Sequence, residues 1–331
     1  MKKFTYISFI AAGLLLTSCN GFLNLEPITD VSTEAYLHAE TDLAAYSARF
    51  YQDGYSELPS HGSGSYNLGL FRLDNGTDNQ TADAPSALFV PKQTRVGSST
   101  HWSDYFAKIR AANYFLNIVV DRYDKGEISG SEPNIKHYIG EMYFFRALVY
   151  FKALQEIGDF PILPEVLPDD YQTVRTASQR RPRNEVARFI LSDLDKATGY
   201  LKDVAPMSNR VNKDCAMLLK SRVALFEGTW EKYHKGTAFV PGGPEWPGAK
   251  MDYLKSYSID IDNEINYFLT RAVNAADSVA STHELYSDYS ALFNSVDLSG
   301  ISEILLWRAY GLSSNATSFH YVVGYIQRNG G

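Results

Sequence analysis

Apolar side chains recur at three- and four-residue intervals along much of this chain, the spacing that puts them on one face of an α-helix. Leu43, Tyr46, Phe50 and Tyr51 follow it and predict a first helix over 42–55, capped by Thr41 or Asp42. Ile109, Ala112, Phe115, Leu116 and Val119 predict a second over 101–123. The next, over 134–157, is apolar on most of its surface, from Ile135, Tyr138 and Ile139 through Met142, Phe145 and Leu148 to Leu154. A helix apolar nearly all round belongs in the middle of a domain. Gly158 stops it, and 160–164 leaves as an extended segment with a proline at 161 and another at 164. Val186, Phe189, Ile190, Leu194 and Ala197 predict an amphipathic helix over 182–201, with Pro182 in its first turn. Ala216, Leu219, Val223 and Phe226 predict another over 212–233. A last one over 264–281 carries Ala272, Ala275 and Ala276, small enough for close helix packing.

Two stretches break the pattern. Residues 56–99 and 235–257 are rich in Gly and Pro and read as long irregular loops. Loops of that length in compact domains are uncommon and often functional. Residues 304–307 read as a short extended run, and 313–331 has little pattern. The helices pair across short connections, 101–123 with 134–157 and 182–201 with 211–233. The expected fold is mainly α: tetratricopeptide-like helical pairs, looser than a strict repeat, with long irregular loops. No strand–helix alternation supports a parallel sheet.

Composition narrows the class. With 331 residues, 45% hydrophobic and 21% charged, the chain is globular and large enough for about two domains. Its start reads as a leader: Lys2 and Lys3, then an apolar run from Phe4 to Leu16 that is too short to span a bilayer comfortably. The run ends in Leu16-Thr17-Ser18-Cys19, which resembles a bacterial lipoprotein signal. Residues 1–18 are then the removed signal peptide, and Cys19 the site of lipidation. Several acyl chains hold a protein on a membrane where one is marginal. Cys215, among Ala216, Met217, Leu218 and Leu219, reads as an inert buried helical thiol.

Charge excludes one partner class. The chain has 31 basic residues; less the two leader lysines, 29 remain against 38 acidic ones. That surface has no footprint for a nucleic-acid backbone. Catalytic and metal motifs are also missing. The histidines, at 38, 61, 101, 137, 234, 283 and 320, share no helix face at a metal-ligand spacing. There is no nucleophile elbow and no phosphate-cradling glycine loop, so no catalytic residue, metal or cofactor is expected. Glu141 and Arg146 stand five apart in the most apolar helix and are expected to be a structural ion pair or network.

The 56–99 loop holds the candidate binding chemistry. Tyr66, Phe71 and Phe89 alternate there with Asn67, Arg72, Asp74, Asn75, Asp78 and Asn79. Sugars need such a mixture: rings stack on the C–H face of a pyranose, while carboxylates, amides and Arg satisfy hydroxyls. Tyr66, Phe71, Asp74, Asp78 and Trp102 are the leading ligand-binding candidates. A Tyr-rich loop packing on its own helices is the other reading, and a Trp that opens a helix also serves as a packing anchor.

The motifs taken in order resemble one family, the SusD/RagB lipoproteins of Bacteroidetes. The run from Cys19 through Phe22-Leu23 to Pro27 is similar to its mature N-terminus. Gly76-Thr77-Asp78-Asn79 resembles its "gTDe" turn, and Trp102-Ser103-Asp104-Tyr105-Phe106 through Ile109 to Asn113 its "W..yY..I..aN". Gly140-Glu141-Met142 through Arg146-Ala147, continuing to Gly158-Asp159-Phe160-Pro161, is similar to "GEarflRAy" followed by "yGdvPl". An aromatic is usual where Glu156-Ile157 stands. The resemblance implies a helical-repeat domain over 19–235 and a partial C-terminal region over 236–331, the chain stopping short of the family's full length. It implies an outer-membrane, surface-exposed lipoprotein that captures an oligosaccharide and delivers it to a TonB-dependent barrel transporter without catalysis. A repeat-type lipoprotein binding peptide or protein partners in envelope assembly is the alternative.

Overall fold

The apolar rows fold as helices. The computed structural model describes residues 36–51 and 100–307, apart from 208 and 296. Its elements are α1 (Glu40–Ala48), α2 (Thr100–Asp124), α3 (Glu132–Ile157), α4 (Tyr171–Ala177), α5 (Arg183–Tyr200), α6 (Lys213–His234), α7 (Ile261–Ala280) and α8 (Tyr289–Asn294). Among the described residues there are isolated β-bridges, Ala39 with Ser129 and Phe160 with Arg181, and no longer strand pairing.

Helix α3 is the hub. Ile139, Met142, Tyr150, Phe151 and Leu154 are all fully buried, as expected of a helix apolar on every side. Pro133 sits in its first turn, and the N–H of Gly158 donates to Leu154 O at its end. Helix α2 packs on one flank of α3 and α5 on the other; α6 packs on α5, and α7 on α6. This row of helices is the tetratricopeptide-like arrangement, and α1 lies across α3 with Tyr46 donating its hydroxyl to Ala111 O at 2.8 Å. Ala272 and Ala275 are buried where α7 meets its neighbours.

Close approach at α3 depends on a missing side chain. A Cβ built on Gly140 would stand 2.8 Å from Leu201 Cγ and 2.9 Å from the Leu201 backbone N. Backbone cannot swing aside as a long side chain can. Gly140→Ala is therefore expected to destabilise the fold by about 1–3 kcal/mol, as overpacking does. Urea denaturation reads it, and an unchanged midpoint would contradict the contact.

The differences from the sequence expectation are local. The first helix starts at Glu40 and ends at Ala48, followed by a 3-10 turn over Arg49–Tyr51; the expected continuation to 55 runs outside the described residues. Helix α7 begins at Ile261, three residues early, where the Asp260 carboxylate accepts from Asn263 N–H. The 235–257 stretch contains two 3-10 turns, Pro247–Lys250 and Asp252–Leu254. The extended run expected at 304–307 has no strand partner among the described residues; Ile304 N–H closes a turn on Ile301 O. Helices α4 and α8 were not expected. Each is one or two turns held by an aspartate cap, Asp170 accepting from Thr173 N–H and Asp288 from Ala291 N–H.

Candidate functional site

The charged residues of the most apolar helix come first, because a buried charge survives only with a partner. Glu141 and Arg146 are both buried but do not pair with each other, which corrects the expectation of one ion pair between them. Arg146 forks onto Asp193 of α5, with Nε and Nη2 each 2.7 Å from a carboxylate oxygen. Its Nη1 donates to Asn113 Oδ1 on α2 and to Pro164 O, both at 2.8 Å. Asn113 in turn donates to Leu163 O and Glu165 O. Glu141 is held by Arg210, whose Nε is 2.8 Å from Oε1, and by the Tyr51 hydroxyl at 2.6 Å. Nε2 of buried His137 lies 3.3 Å from the same carboxylate. Burial pushes the Glu141 carboxyl up, but the Arg210 hydrogen bonds and charge outweigh it and hold it below the ordinary value. Both groups are satisfied within the scaffold, as the network half of the expectation had it.

A second layer of charge lies between α5, α6 and α7, which sequence reading missed. Arg183 forks onto Glu227 with two bonds of 2.8 Å, and Arg188 onto Glu264 with bonds of 2.6 and 2.7 Å. Asp159 accepts from Arg183 N–H and from the Trp246 indole N–H, both at 2.8 Å. Glu231 is fully buried, and neither of its carboxylate oxygens has a hydrogen-bond partner among the described residues. Burial and the neighbouring Glu227 and Glu264 push it up to about 9. The signal was available: Glu227 and Glu231 continue the inward row of Leu219 and Val223 on α6.

Of the expected ligand residues, the structure describes one. Trp102 stands in the first turn of α2, half-buried, with its ring edge-on to Phe106 at 5.1 Å and to Phe160 at 5.0 Å. The Arg180 guanidinium lies 5.0 Å over its centroid. The contacts with Phe106 and Phe160 are those of a packing anchor. Tyr66, Phe71, Asp74, Asp78 and the lipidation residue Cys19 lie outside the described residues. Cys215 is buried, as read from its neighbours, and donates its thiol to Leu305 O at 3.2 Å; burial pushes the thiol up to about 11, which keeps it inert.

Two of the cavities among the described residues bear on ligand binding. One, of about 310 Å³, is lined mainly by apolar side chains, among them Phe144, Leu148, Leu218 and Leu305, with Arg222 and Glu303 as its charged members. The other, of about 540 Å³, lies where α3 ends and α5 begins and is walled by the 238–254 segment. It mixes rings with carboxylates and guanidinium groups.

Comparison with known proteins agrees with this architecture. A SusD-like family model, described as starch-binding and associating with the outer membrane, matches residues 21–225. SusD-like protein P38 of Formosa agariphila is 25% identical over 244 residues, 70% of this chain and 44% of that protein. SusD-like protein P2 of the same organism is 24% identical over 249 residues, 72% of this chain and 46% of that one. The chain thus spans a little under half the length of these curated relatives. A SusD homologue from Bacteroides thetaiotaomicron shares the fold, with a TM-score of 0.52 at 18% identity over 87% of this chain and 51% of its own. No described helix is long and apolar enough to cross a membrane.

Proposed function

Because the chain belongs to the SusD-like family of starch-binding proteins that associate with the outer membrane, we propose that it captures an oligosaccharide at the cell surface and passes it, uncleaved, to a TonB-dependent barrel transporter. The family match over 21–225 carries the reading. The buried ion networks are consistent with it: Glu141 and Arg146, the buried charges of the central helix, are spent on the scaffold and take no part in ligand contact. In this reading Tyr66 and Phe71 stack on sugar rings, Asp74 and Asp78 accept hydroxyl hydrogen bonds, and Trp102 flanks them.

Calorimetry with a panel of neutral oligosaccharides tests the site. Tyr66→Ala and Phe71→Ala are each expected to weaken the bound glycan by about fivefold or more, roughly 1 kcal/mol. Affinities within about twofold of the wild type in both variants would place the site elsewhere.

The same reading attaches the protein through acylated Cys19. Cys19→Ala is expected to move it out of the detergent-soluble membrane fraction or leave it unprocessed. A variant that still fractionates with the outer membrane through a detergent-sensitive attachment would contradict the anchor.

A further inference from the structure

The 540 Å³ cavity lies within the size range of small-ligand sites, roughly 300–1,000 Å³. Its open rings are Phe239 and Tyr253, 63% and 37% exposed, with exposed Met251 beside them. Trp230 also lines it but is already engaged, stacked on His234 at 4.2 Å with the Arg183 guanidinium 4.4 Å from its centroid. The charged lining comes from Glu156, Asp159, Arg180 and Arg183. Two carboxylates against two guanidinium groups give no net charge, so the cavity suits a neutral polyhydroxylated ligand better than an ion. Asp159 takes one donor on each oxygen, from Arg183 N–H and the Trp246 indole, and each oxygen keeps a further lone pair for a hydroxyl.

The wall is built in advance. Val240, Trp246 and Leu254 are buried beneath it. Gly248 lies so close under the Trp246 ring that a Cβ there would collide with it. A pre-formed wall spares the ordering cost that a loop closing on its ligand must meet. Arg180 lines the cavity and also covers Trp102, the one expected ligand residue among the described residues.

We propose that this cleft is a second saccharide subsite, in which a neutral glycan unit packs against Phe239 and Tyr253 while Asp159 and Arg180 take its hydroxyls. The inference rests on the glycan-capture reading for its ligand class, and on the cleft itself for its place. Calorimetry of the full chain with a neutral oligosaccharide from the panel tests it. Phe239→Ala with Tyr253→Ala is expected to lower affinity at least tenfold in a variant that still melts well above the assay temperature, so that the loss is one of binding and not of folding. Affinity within twofold of the wild type in that double variant overturns the cleft, and if Tyr66→Ala or Phe71→Ala then weakens binding, the capture reading stands without it. A wild type that binds no member of the panel overturns both. A crystal of the complex supports the inference if sugar density lies against Phe239 and Tyr253, and overturns it if the only bound glycan lies elsewhere.

Discussion

Arg146→Ala is expected to cost about 3–5 kcal/mol of folding stability, because it leaves a carboxylate buried without its counter-charge. The guanidinium is 3% exposed, and Asp193 beneath it has no exposure at all. Four hydrogen bonds are lost together: two to Asp193, one to Asn113 and one to Pro164 O. These bonds join α2, α3, α5 and the extended 160–164 segment, so the loss falls where several elements meet. For a domain of this size the melting temperature should fall by roughly 6–20 °C. Urea denaturation should show a lower midpoint at unchanged slope. Glycan affinity, measured below the new transition, should be unchanged. Pairing the substitution with Asp193→Leu should recover much of the loss, since removing both charges avoids the desolvation that removing one exposes. A single variant as stable as the wild type that loses only ligand affinity would make Arg146 a binding residue instead.

Glu231→Gln is expected to stabilise the protein at alkaline pH and to do little in acid. The Glu231 carboxyl is buried without a hydrogen-bond partner among the described residues, neighbours Glu227 and Glu264, and is pushed from 4.5 up to about 9. The nearby guanidinium groups of Arg183 and Arg188 are committed to Glu227 and Glu264. Between pH 4.5 and 9 the folded state therefore keeps a proton that the unfolded chain releases. Stability from this group is whole below the unfolded value and drains away as pH rises towards the folded one. The slope reaches about 1.4 kcal/mol per pH unit at most, and several kcal/mol across the window. Glutamine keeps the shape and removes the titration. Urea midpoints at pH 5, 7 and 9 should converge for variant and wild type at pH 5 and separate at pH 9, with the variant the more stable. Midpoints that fall in parallel across all three would show that Glu231 is not the group that holds the proton.

The helices were legible because each buries a continuous face: the rows of α2, α3, α5 and α6 set their extents to within two residues. Short elements were not. Helices α4 and α8 have too few turns to show a repeat, and only Asp170 and Asp288 mark their starts. Local pattern also showed that Glu141 and Arg146 were buried, yet it could not show with what. Their partners Arg210 and Asp193 lie 69 and 47 residues further along the chain, and only packing brings them into reach. The 235–257 stretch carried a misleading signal. Its glycines and prolines read as a long irregular loop and did not show that Val240, Trp246 and Leu254 are buried in it, where Gly248 lets the chain pass close to the indole. The candidate site was legible only as chemistry, rings interleaved with amides and carboxylates. Trp102 alone of that set lies among the described residues, and it packs on Phe106 and Phe160.

Capture of a neutral glycan without chemistry is tested by titrating the full chain with a panel of neutral oligosaccharides in a calorimeter and then taking the mass of each recovered glycan. Saturable binding of at least one panel member, recovered at its original mass, is expected. No binding by any member, or shorter products after incubation, would contradict it.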